Sequence, residues 1–579
     1  MASYNELVWQ ISGQQGEGIN AAGDILASVL NQTGYYLYGY REFASRIKGG
    51  HTHYRLRISK VSVGAISHKL HLLIAMDQKA LDVQEHYLVP DSIVLADDNL
   101  NAENTKMRHN VIKAPMTTLA LEQGNKIVKN LVCLGMSIAI MDLQLPLFEE
   151  NIYRRFQRKG PAAVETNLNA LKAGHNWALE NDLAGKLSLN EGDGKQRLFL
   201  LGNQAAAMGA IMAGCRFLPA YPITPATEIM EYMSKYLPEL GGAVVQTEDE
   251  IAAITMAIGA GYAGARAMTA TSGPGLSLMT EAIGLSGMTE VPVVVIDAQR
   301  GGPSTGLPTK HEQSDLLSAI FGTHGEIPKI VMTPTSVSYC FYQTIRAFNL
   351  AEKYQCPVIV LTDVALSLGK QSVDLFNLED VKVERGKLLF DMGEYQDEGV
   401  LFQRYAFTPS GVSARSVPGT PEGVHQVTGL EHDETGLPSE DRALRTAMMD
   451  KRLSKIPDLL PGSTHYYGPA NPDYLLIGYG STYGPIAEAC SMLTKDGVSV
   501  GHLQLLIVWP FPIAEMDLNM DSAKGIFIIE NNATGQLLRL LNMFSPYDRK
   551  TKSIRKYNGR PFVPIEIYLK IYDSIKGEL

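Results

Sequence analysis

Four short segments between Ala220 and Thr309 hold side chains suited to gripping a small, oxygen-rich ligand: YPITP at 221–225, TEDE at 247–250, TSGPG at 271–275 and RGGPSTGLPT at 300–309. Arg300 offers the planar guanidinium fork that matches a carboxylate. Thr224 sits on a turn stiffened by Pro222 and Pro225 and presents a hydroxyl to a carbonyl or carboxylate oxygen, while Thr309 belongs to the same loop as Arg300. Glu250 can serve proton transfer. It also completes a Thr-x-x-Glu capping box with Thr247, and Glu248 and Asp249 suit the positive end of the following helix. Spacing alone supports both readings of Glu250.

These segments fall where strands hand over to helices. From Ala220 the pattern runs strand, Pro-broken turn, helix, strand, acid-opened helix, strand, Gly-rich turn, helix and strand, the alternation that builds a parallel sheet covered by helices. The run PVVVIDA from Pro292 to Ala298 is continuous enough to be buried on both faces. The ligand-gripping residues are therefore expected at strand ends. In the helix after Glu250, Ile251, Ile254 and Ile258 are expected on one buried face, and Ala253, Ala257, Gly259 and Gly261 to admit another backbone.

With Gly259 following it and TATSGPG at 269–275, Glu250 resembles the acid of the pyrimidine-binding domain of thiamine diphosphate enzymes. YPITP at 221–225 together with GPSTGLPTK at 302–310 resembles the alpha subunit of 2-oxoacid:ferredoxin oxidoreductases, in the form whose gamma domain is fused at the N-terminus. The resemblance covers nearly the whole chain. It implies that Glu250 hydrogen-bonds the cofactor's pyrimidine ring, that Tyr221, Pro222, Ile223, Ser272 and Gly273 line the cofactor, and that Thr224, Arg300 and Thr309 meet substrate. It further implies oxidative decarboxylation of a 2-oxoacid with coenzyme A as co-substrate, electrons passing singly to ferredoxin.

The same resemblance accounts for the basic stretch REFASRIKGGHTH at 41–53, because the family's gamma domain carries a similar IKGGH whose lysine reaches the substrate site. Lys48 and Arg46 would then suit a second carboxylate, favouring 2-oxoglutarate and a succinyl-CoA product over pyruvate or branched-chain 2-oxoacids. From residue type alone this stretch is equally a solvated basic loop. His51 and His53 alternate on one strand but lack a third ligand, so no metal site is expected.

The diphosphate half of a thiamine site needs GDG at a strand end and a downstream Asn as oxygen ligands for Mg²⁺. GDG occurs at 192–194, but no apolar strand precedes it, and no Asn lies between Asn203 and Asn349. The diphosphate, its Mg²⁺ and a [4Fe-4S] cluster are therefore expected on a partner beta subunit, in an (alpha-beta)2 heterotetramer. Cys133, Cys215, Cys340, Cys356 and Cys490 are scattered without a C-x-x-C and encode neither a cluster nor a disulfide framework.

The whole is expected to be a multidomain α/β chain: an N-terminal gamma α/β domain at 1–185, a linker at 186–196, a pyrimidine-type parallel-sheet domain at 197–370, a long insert at 371–468 and a C-terminal domain resembling that of transketolase at 469–579. In the last, Glu530, Asn531 and Gln536 are expected to hold loops. GEG at 16–18 after the strand LVWQI could cradle an anion, but G13-x-x-G16-x-G18 departs from the dinucleotide fingerprint. The run EHDETG at 431–436 reads as solvated acidic surface, and a charged helix is expected from Glu440 to Lys455.

The 579 residues carry a net charge of −10, with 45% hydrophobic and 19% charged. That balance excludes a general nucleic-acid binder, since no basic face is supplied. No apolar run reaches the roughly 18 residues that would suggest a membrane span, and the first residues lack a leader pattern, so a cytoplasmic location is expected. Two other classes remain open: a non-catalytic assembly subunit, and a self-contained nicotinamide oxidoreductase.

Overall fold

The computed structural model describes residues 3–43, 50–101, 107–392, 401–544 and 550–577. The chain divides into two compact units, one of Met1–Leu200 with Gly369–Leu375 and Val563–Ile565, the other of Leu201–Leu368, Phe376–Phe562 and Glu566–Leu579. Both mix strands and helices; parallel pairing dominates the large sheets of the second unit, while the large sheet of the first mixes parallel and antiparallel pairs.

The first unit is built on an eight-stranded mixed sheet. Its strand Glu6–Gln14 pairs parallel with Leu70–Ala75 and antiparallel with His51–Ser59. Trp9, Ile11, Tyr54, Leu72 and Ile74 from these strands meet Ile25, Leu134 and Phe148 of the covering helices in one buried core. Helices Lys129–Ile140 and Pro161–Glu180 touch through their backbones: a Cβ on Gly135 would lie 2.0 Å from the Leu171 carbonyl, and one on Gly174 1.9 Å from that of Val132. Any side chain there would force the helices apart.

The second unit contains a seven-stranded sheet in which Ala243–Gln246, Cys215–Ala220, Arg266–Thr271, Val293–Gln299, Pro357–Asp363 and Ile330–Met332 run parallel in that order, with Ile507–Trp509 antiparallel at the edge. Every residue of Val293–Gln299 is buried, Asp297 and Gln299 included, as in a parallel strand covered on both faces. A five-stranded sheet follows, with Thr464–Tyr467 antiparallel beside the parallel strands Val500–Leu505, Tyr474–Tyr479, Gly525–Glu530 and Thr551–Arg555. One core contains Val295, Ile359 and Leu276 from the first sheet and its helices with Leu503, Ile477 and Leu537 from the second, so the two layers are a single packed body.

The insert is packed down by buried ions rather than draped over the surface. Glu290, fully buried at the end of helix Gly273–Thr289, meets Lys451 Nζ at 2.7 Å and Lys455 Nζ at 3.0 Å, and Arg404 donates to its carbonyl. Glu352 is likewise held by Arg415 at 2.8 Å and Arg385 at 3.1 Å. The charged helix spans Arg442–Leu453, capped by Asp441. The acidic run at 431–436 is not solvated surface: Glu431 binds Arg452 and Arg445, and Asp433 closes a turn onto Thr435. Among the described residues no helix is long and apolar enough to cross a membrane.

Candidate active site

The four segments singled out by residue type follow the strands Cys215–Ala220, Ala243–Gln246, Arg266–Thr271 and Val293–Gln299, and thus gather at the carboxyl edge of one parallel sheet. At this edge Glu250 is the first residue of helix Glu250–Tyr262, and the capping box expected from spacing is not formed. Asp249 caps the helix instead, accepting from Ala252 N at 2.8 Å, while the Thr247 hydroxyl donates to the Asp249 carbonyl. A capping box needs Glu at the third helical position, and Glu250 occupies the first. Its carboxylate is thereby freed of structural duty: it is 6% exposed, and among the described residues nothing hydrogen-bonds it.

That carboxylate lies over the first turn of helix Gly273–Thr289. A Cβ on Gly275 would come within 2.8 Å of Glu250 Oε1 and 2.0 Å of Thr271 Oγ1, so only glycine fits between them. The helix after Glu250 departs from expectation at two places. Ile254 and Ile258 are buried but Ile251 is 48% exposed, because it precedes the stretch that packs on the sheet. Gly261 abuts the Pro292 carbonyl as expected, whereas among the described residues nothing lies within 4 Å of a Cβ placed on Gly259.

Arg300 is 7% exposed, and its Nη1 donates to the Thr224 carbonyl at 2.6 Å, joining the two residues whose chemistry matches a 2-oxo acid group. Burial pushes the guanidinium below its ordinary range, and the Asp315 charge pulls it back up. Tyr221 is 40% exposed at the rim, Pro222 and Ile223 are half-buried, and the turn is tied by Ala226 N to the Ile223 carbonyl. Ser272 spends its hydroxyl on the Ala298 carbonyl at 2.8 Å and can offer a ligand only backbone, while Gly273 opens the helix beside it. Thr309 is half-buried on the loop from Arg300. Arg46 and Lys48 lie outside the described residues.

Sequence reasoning missed how this loop is held. Gln313 N donates to the Asn531 carbonyl and Asn531 N to Gln313 Oε1, while Gln313 Nε2 reaches Asp363 at 3.0 Å. Asn532 and Tyr479 both donate to the Gln313 carbonyl, and the Gln536 side chain brackets Ser314 and Leu317. Asn531 and Gln536 thus hold a loop, as expected of them, and the loop is the one that carries Arg300. Glu530 holds the next turn, accepting from Leu537 N. Asp297, fully buried, and Asp315, half-buried with one shielded carboxylate oxygen, were also missed; a lone Asp in the otherwise apolar PVVVIDA was the available signal for the first.

In the first unit the glycine loop is filled by its own side chain. Glu17 Oε2 accepts from Gln14 N at 2.8 Å and Oε1 pairs with Lys129 at 3.0 Å, so a carboxylate already occupies the place an anion would take. His51 pairs with Asp77 at 2.9 Å and His53 with Glu42 at 3.8 Å. Asp193 of the GDG decoy is committed to Arg197 at 2.6 Å, which holds its carboxyl well below the usual range. Among the described residues no group of three or more His, Cys, Asp or Glu could hold a metal ion.

A carboxylate buried beside Gly275, to which none of the described residues hydrogen-bonds, fits the pyrimidine half of thiamine diphosphate. The chain matches the family models "Pyruvate flavodoxin/ferredoxin oxidoreductase, thiamine diP-bdg" over residues 208–451, "Pyruvate ferredoxin/flavodoxin oxidoreductase" over 8–177 and "Pyruvate:ferredoxin oxidoreductase core domain II" over 472–567. It is 33% identical to a Sulfolobus 2-oxoacid:ferredoxin oxidoreductase subunit alpha across 98% of this chain and 97% of the relative. It is 38% identical to the 2-oxoglutarate synthase subunit KorA of Methanothermobacter marburgensis across 65% of this chain and 98% of that one. Its structure superposes with a TM-score of 0.92 and 34% identity, over 99% of this chain and 100% of the other, on 2-oxoglutarate:ferredoxin oxidoreductase from Magnetococcus marinus with 2-oxoglutarate, coenzyme A and succinyl-CoA bound. With a thiamine diphosphate-binding family model spanning Glu250 and near-full-length relatives of one kind, the chain belongs to the 2-oxoacid:ferredoxin oxidoreductases as an alpha subunit.

Proposed function

We propose that this subunit supplies the pyrimidine half of the thiamine diphosphate site and the substrate-reading groups of an enzyme that oxidatively decarboxylates 2-oxoglutarate. Succinyl-CoA is formed with coenzyme A, electrons pass to ferredoxin, and reduced ferredoxin drives the reverse reaction. Bound thiamine diphosphate supplies the nucleophilic carbon and the electron sink of this chemistry. Glu250 holds a proton at the pyrimidine ring. Arg300 binds the carboxylate common to all 2-oxoacids, with Thr224 on the 2-oxo or carboxylate oxygen and Thr309 beside it. Tyr221, Pro222, Ile223 and the backbone of Ser272 and Gly273 shape the cofactor wall.

The division of labour follows the same reading: a gamma-type domain at 1–185 bringing Lys48 and Arg46 to the distal carboxylate, the pyrimidine domain at 197–370, and a transketolase-like C-terminal domain from 469. A beta subunit contributes the diphosphate and Mg²⁺ ligands and the [4Fe-4S] cluster in an (alpha-beta)2 assembly of the cytoplasm. The observation that carries the proposal is the buried, unpartnered carboxylate of Glu250, which the fold isolates by giving the cap to Asp249. The 2-oxoglutarate preference is supported by the names of two relatives. Purifying the native complex and assaying acceptor reduction on a panel of 2-oxoacids tests it: 2-oxoglutarate should give the highest kcat/KM, and a preference for pyruvate would refute the substrate assignment.

A further inference from the structure

Helix Leu145–Phe156 of the first unit is anchored by its inner face: Phe148 and Ile152 are fully buried in the core, and Phe156 packs against it. Its outer face turns strongly basic at the C-terminal end. The ten residues NIYRRFQRKG at 151–160 contain four cations, Arg154, Arg155, Arg158 and Lys159, and no acid, in a chain of net charge −10. All four are exposed, the last two in the tight turn Gln157–Lys159 that follows the helix. Arg154 pairs with Glu150 one turn back at 2.5 Å, in a bridge whose side chains are themselves 68% and 58% exposed. Arg155 and Arg158 form no ion pair among the described residues, and Lys159 Nζ lies 5.4 Å from the Phe156 ring. Tyr153, next to Arg154, is 56% exposed.

Cations near a helix C-terminus complement its dipole, but that interaction leaves their N–H donors in water and calls for no exposed aromatic beside them. A second basic run, 550–560, is spent internally: Lys550 donates to the Met520 and Ala523 carbonyls, Arg555 to that of Ala533, and Lys556 pairs with Glu566 at 2.6 Å. The run at 151–160 keeps its charges for the surface. A chain of net charge −10 repels an acidic protein at long range, so a cluster of cations without counter-charges decides where such a protein can approach. Weak electron-transfer encounters need only a small interface, and Arg and Tyr are favoured at interfaces. We propose that the outer face formed by residues 153–159 docks the acidic ferredoxin that takes up the electrons, an inference that rests on ferredoxin as the acceptor in the reading given above. The cations steer the carrier by its surface carboxylates, and Tyr153 supplies the apolar contact. The face makes and breaks no bonds of the 2-oxoacid.

The test uses the complete complex, with an acidic bacterial ferredoxin as acceptor and methyl viologen, a small acceptor that needs no docking face, as the control. Arg155→Glu combined with Arg158→Glu should raise KM for ferredoxin about tenfold or more at low ionic strength, because reversed charges slow the steered encounter. The gap between wild type and variant should close as salt is raised toward about 1 M, where charges more than about 3 Å apart are screened. Turnover with methyl viologen and KM for 2-oxoglutarate should stay as in the wild type, and Arg155→Lys with Arg158→Lys should keep the wild-type KM for ferredoxin. An unchanged ferredoxin KM in the reversed variant, or a rise that salt does not diminish, overturns the proposal and returns these cations to the helix end. Should the reversed chain fail to assemble, Arg155→Gln with Arg158→Gln is read the same way, with a severalfold rise expected. A wild-type complex that reduces methyl viologen but not ferredoxin refutes the acceptor reading itself, whereas ferredoxin reduction at unchanged KM in the variants refutes only the docking face.

Discussion

The Arg300 side chain and the Thr224 backbone are joined by a 2.6 Å hydrogen bond, although 76 residues separate them in the chain. In the proposed reading the hydroxyl of Thr224 and the remaining guanidinium N–H groups of Arg300 meet the same substrate. Arg300→Met should therefore raise KM for every 2-oxoacid by roughly tenfold to a hundredfold, the equivalent of about 1.5 to 3 kcal/mol for a lost charge-assisted contact. Arg300→Lys should rescue little, because an ammonium cannot present the planar fork. Substrate-saturation curves on 2-oxoglutarate and pyruvate check both variants.

Glu250→Gln should lower turnover by about 10² or more, the usual scale for losing acid–base function, while leaving the melting temperature in place. The fold is spared because Asp249, not Glu250, caps the helix. Asp249→Ala supplies the converse, costing about 1 kcal/mol of stability as a lost cap. Near-normal turnover in Glu250→Gln would remove Glu250 from the reaction.

The strand–turn–helix alternation and the placing of the four segments at strand ends were legible because period and punctuation are local properties. The role of Asp249 was not, since Thr-x-x-Glu and Asp at the cap satisfy the same local pattern and only backbone geometry decides between them. Equally hidden were the clasp of Gln313 by Asn531 and Asn532 and the pairing of Glu290 with Lys451 and Lys455, which join residues 161 to 219 positions apart. Polar partners at such separation leave no periodic trace, so the insert at 371–468 read as loop although its buried ions pin it to the core.

Glu290→Gln should be strongly destabilising, by about 3 to 5 kcal/mol, since it leaves Lys451 and Lys455 buried without their counter-charge. Thermal unfolding of the purified complex measures this. Lys455, Lys451 and Arg404 overcome burial and hold the Glu290 carboxyl down at about 2, while burial pulls Lys451 down to about 8 despite the pairing. The folded-state value of Glu290 is below its unfolded one, so its stabilisation is present above the ordinary glutamate range and is lost as pH falls toward 2. The wild-type melting temperature should drop across that acid window, and Glu290→Gln should be flatter there.

Lys48→Met should weaken use of 2-oxoglutarate by about tenfold to a hundredfold, one charge-assisted contact at the distal carboxylate, and largely spare pyruvate, which has no second carboxylate. Arg300→Met impairs both. Equal losses on the two substrates in Lys48→Met would assign the lysine to folding, cofactor or coenzyme A binding.

The most direct test of the account reconstitutes this chain with a diphosphate-binding beta subunit. Reduction of a low-potential acceptor is then followed with thiamine diphosphate, coenzyme A and 2-oxoglutarate, using wild-type and Glu250→Gln chains in parallel. The account predicts turnover only when both subunits are present, strict dependence on all three small molecules, and a loss of about 10² in the Glu250→Gln complex at unchanged assembly. Turnover by this chain alone, or equal rates from the wild-type and Glu250→Gln complexes, would contradict it.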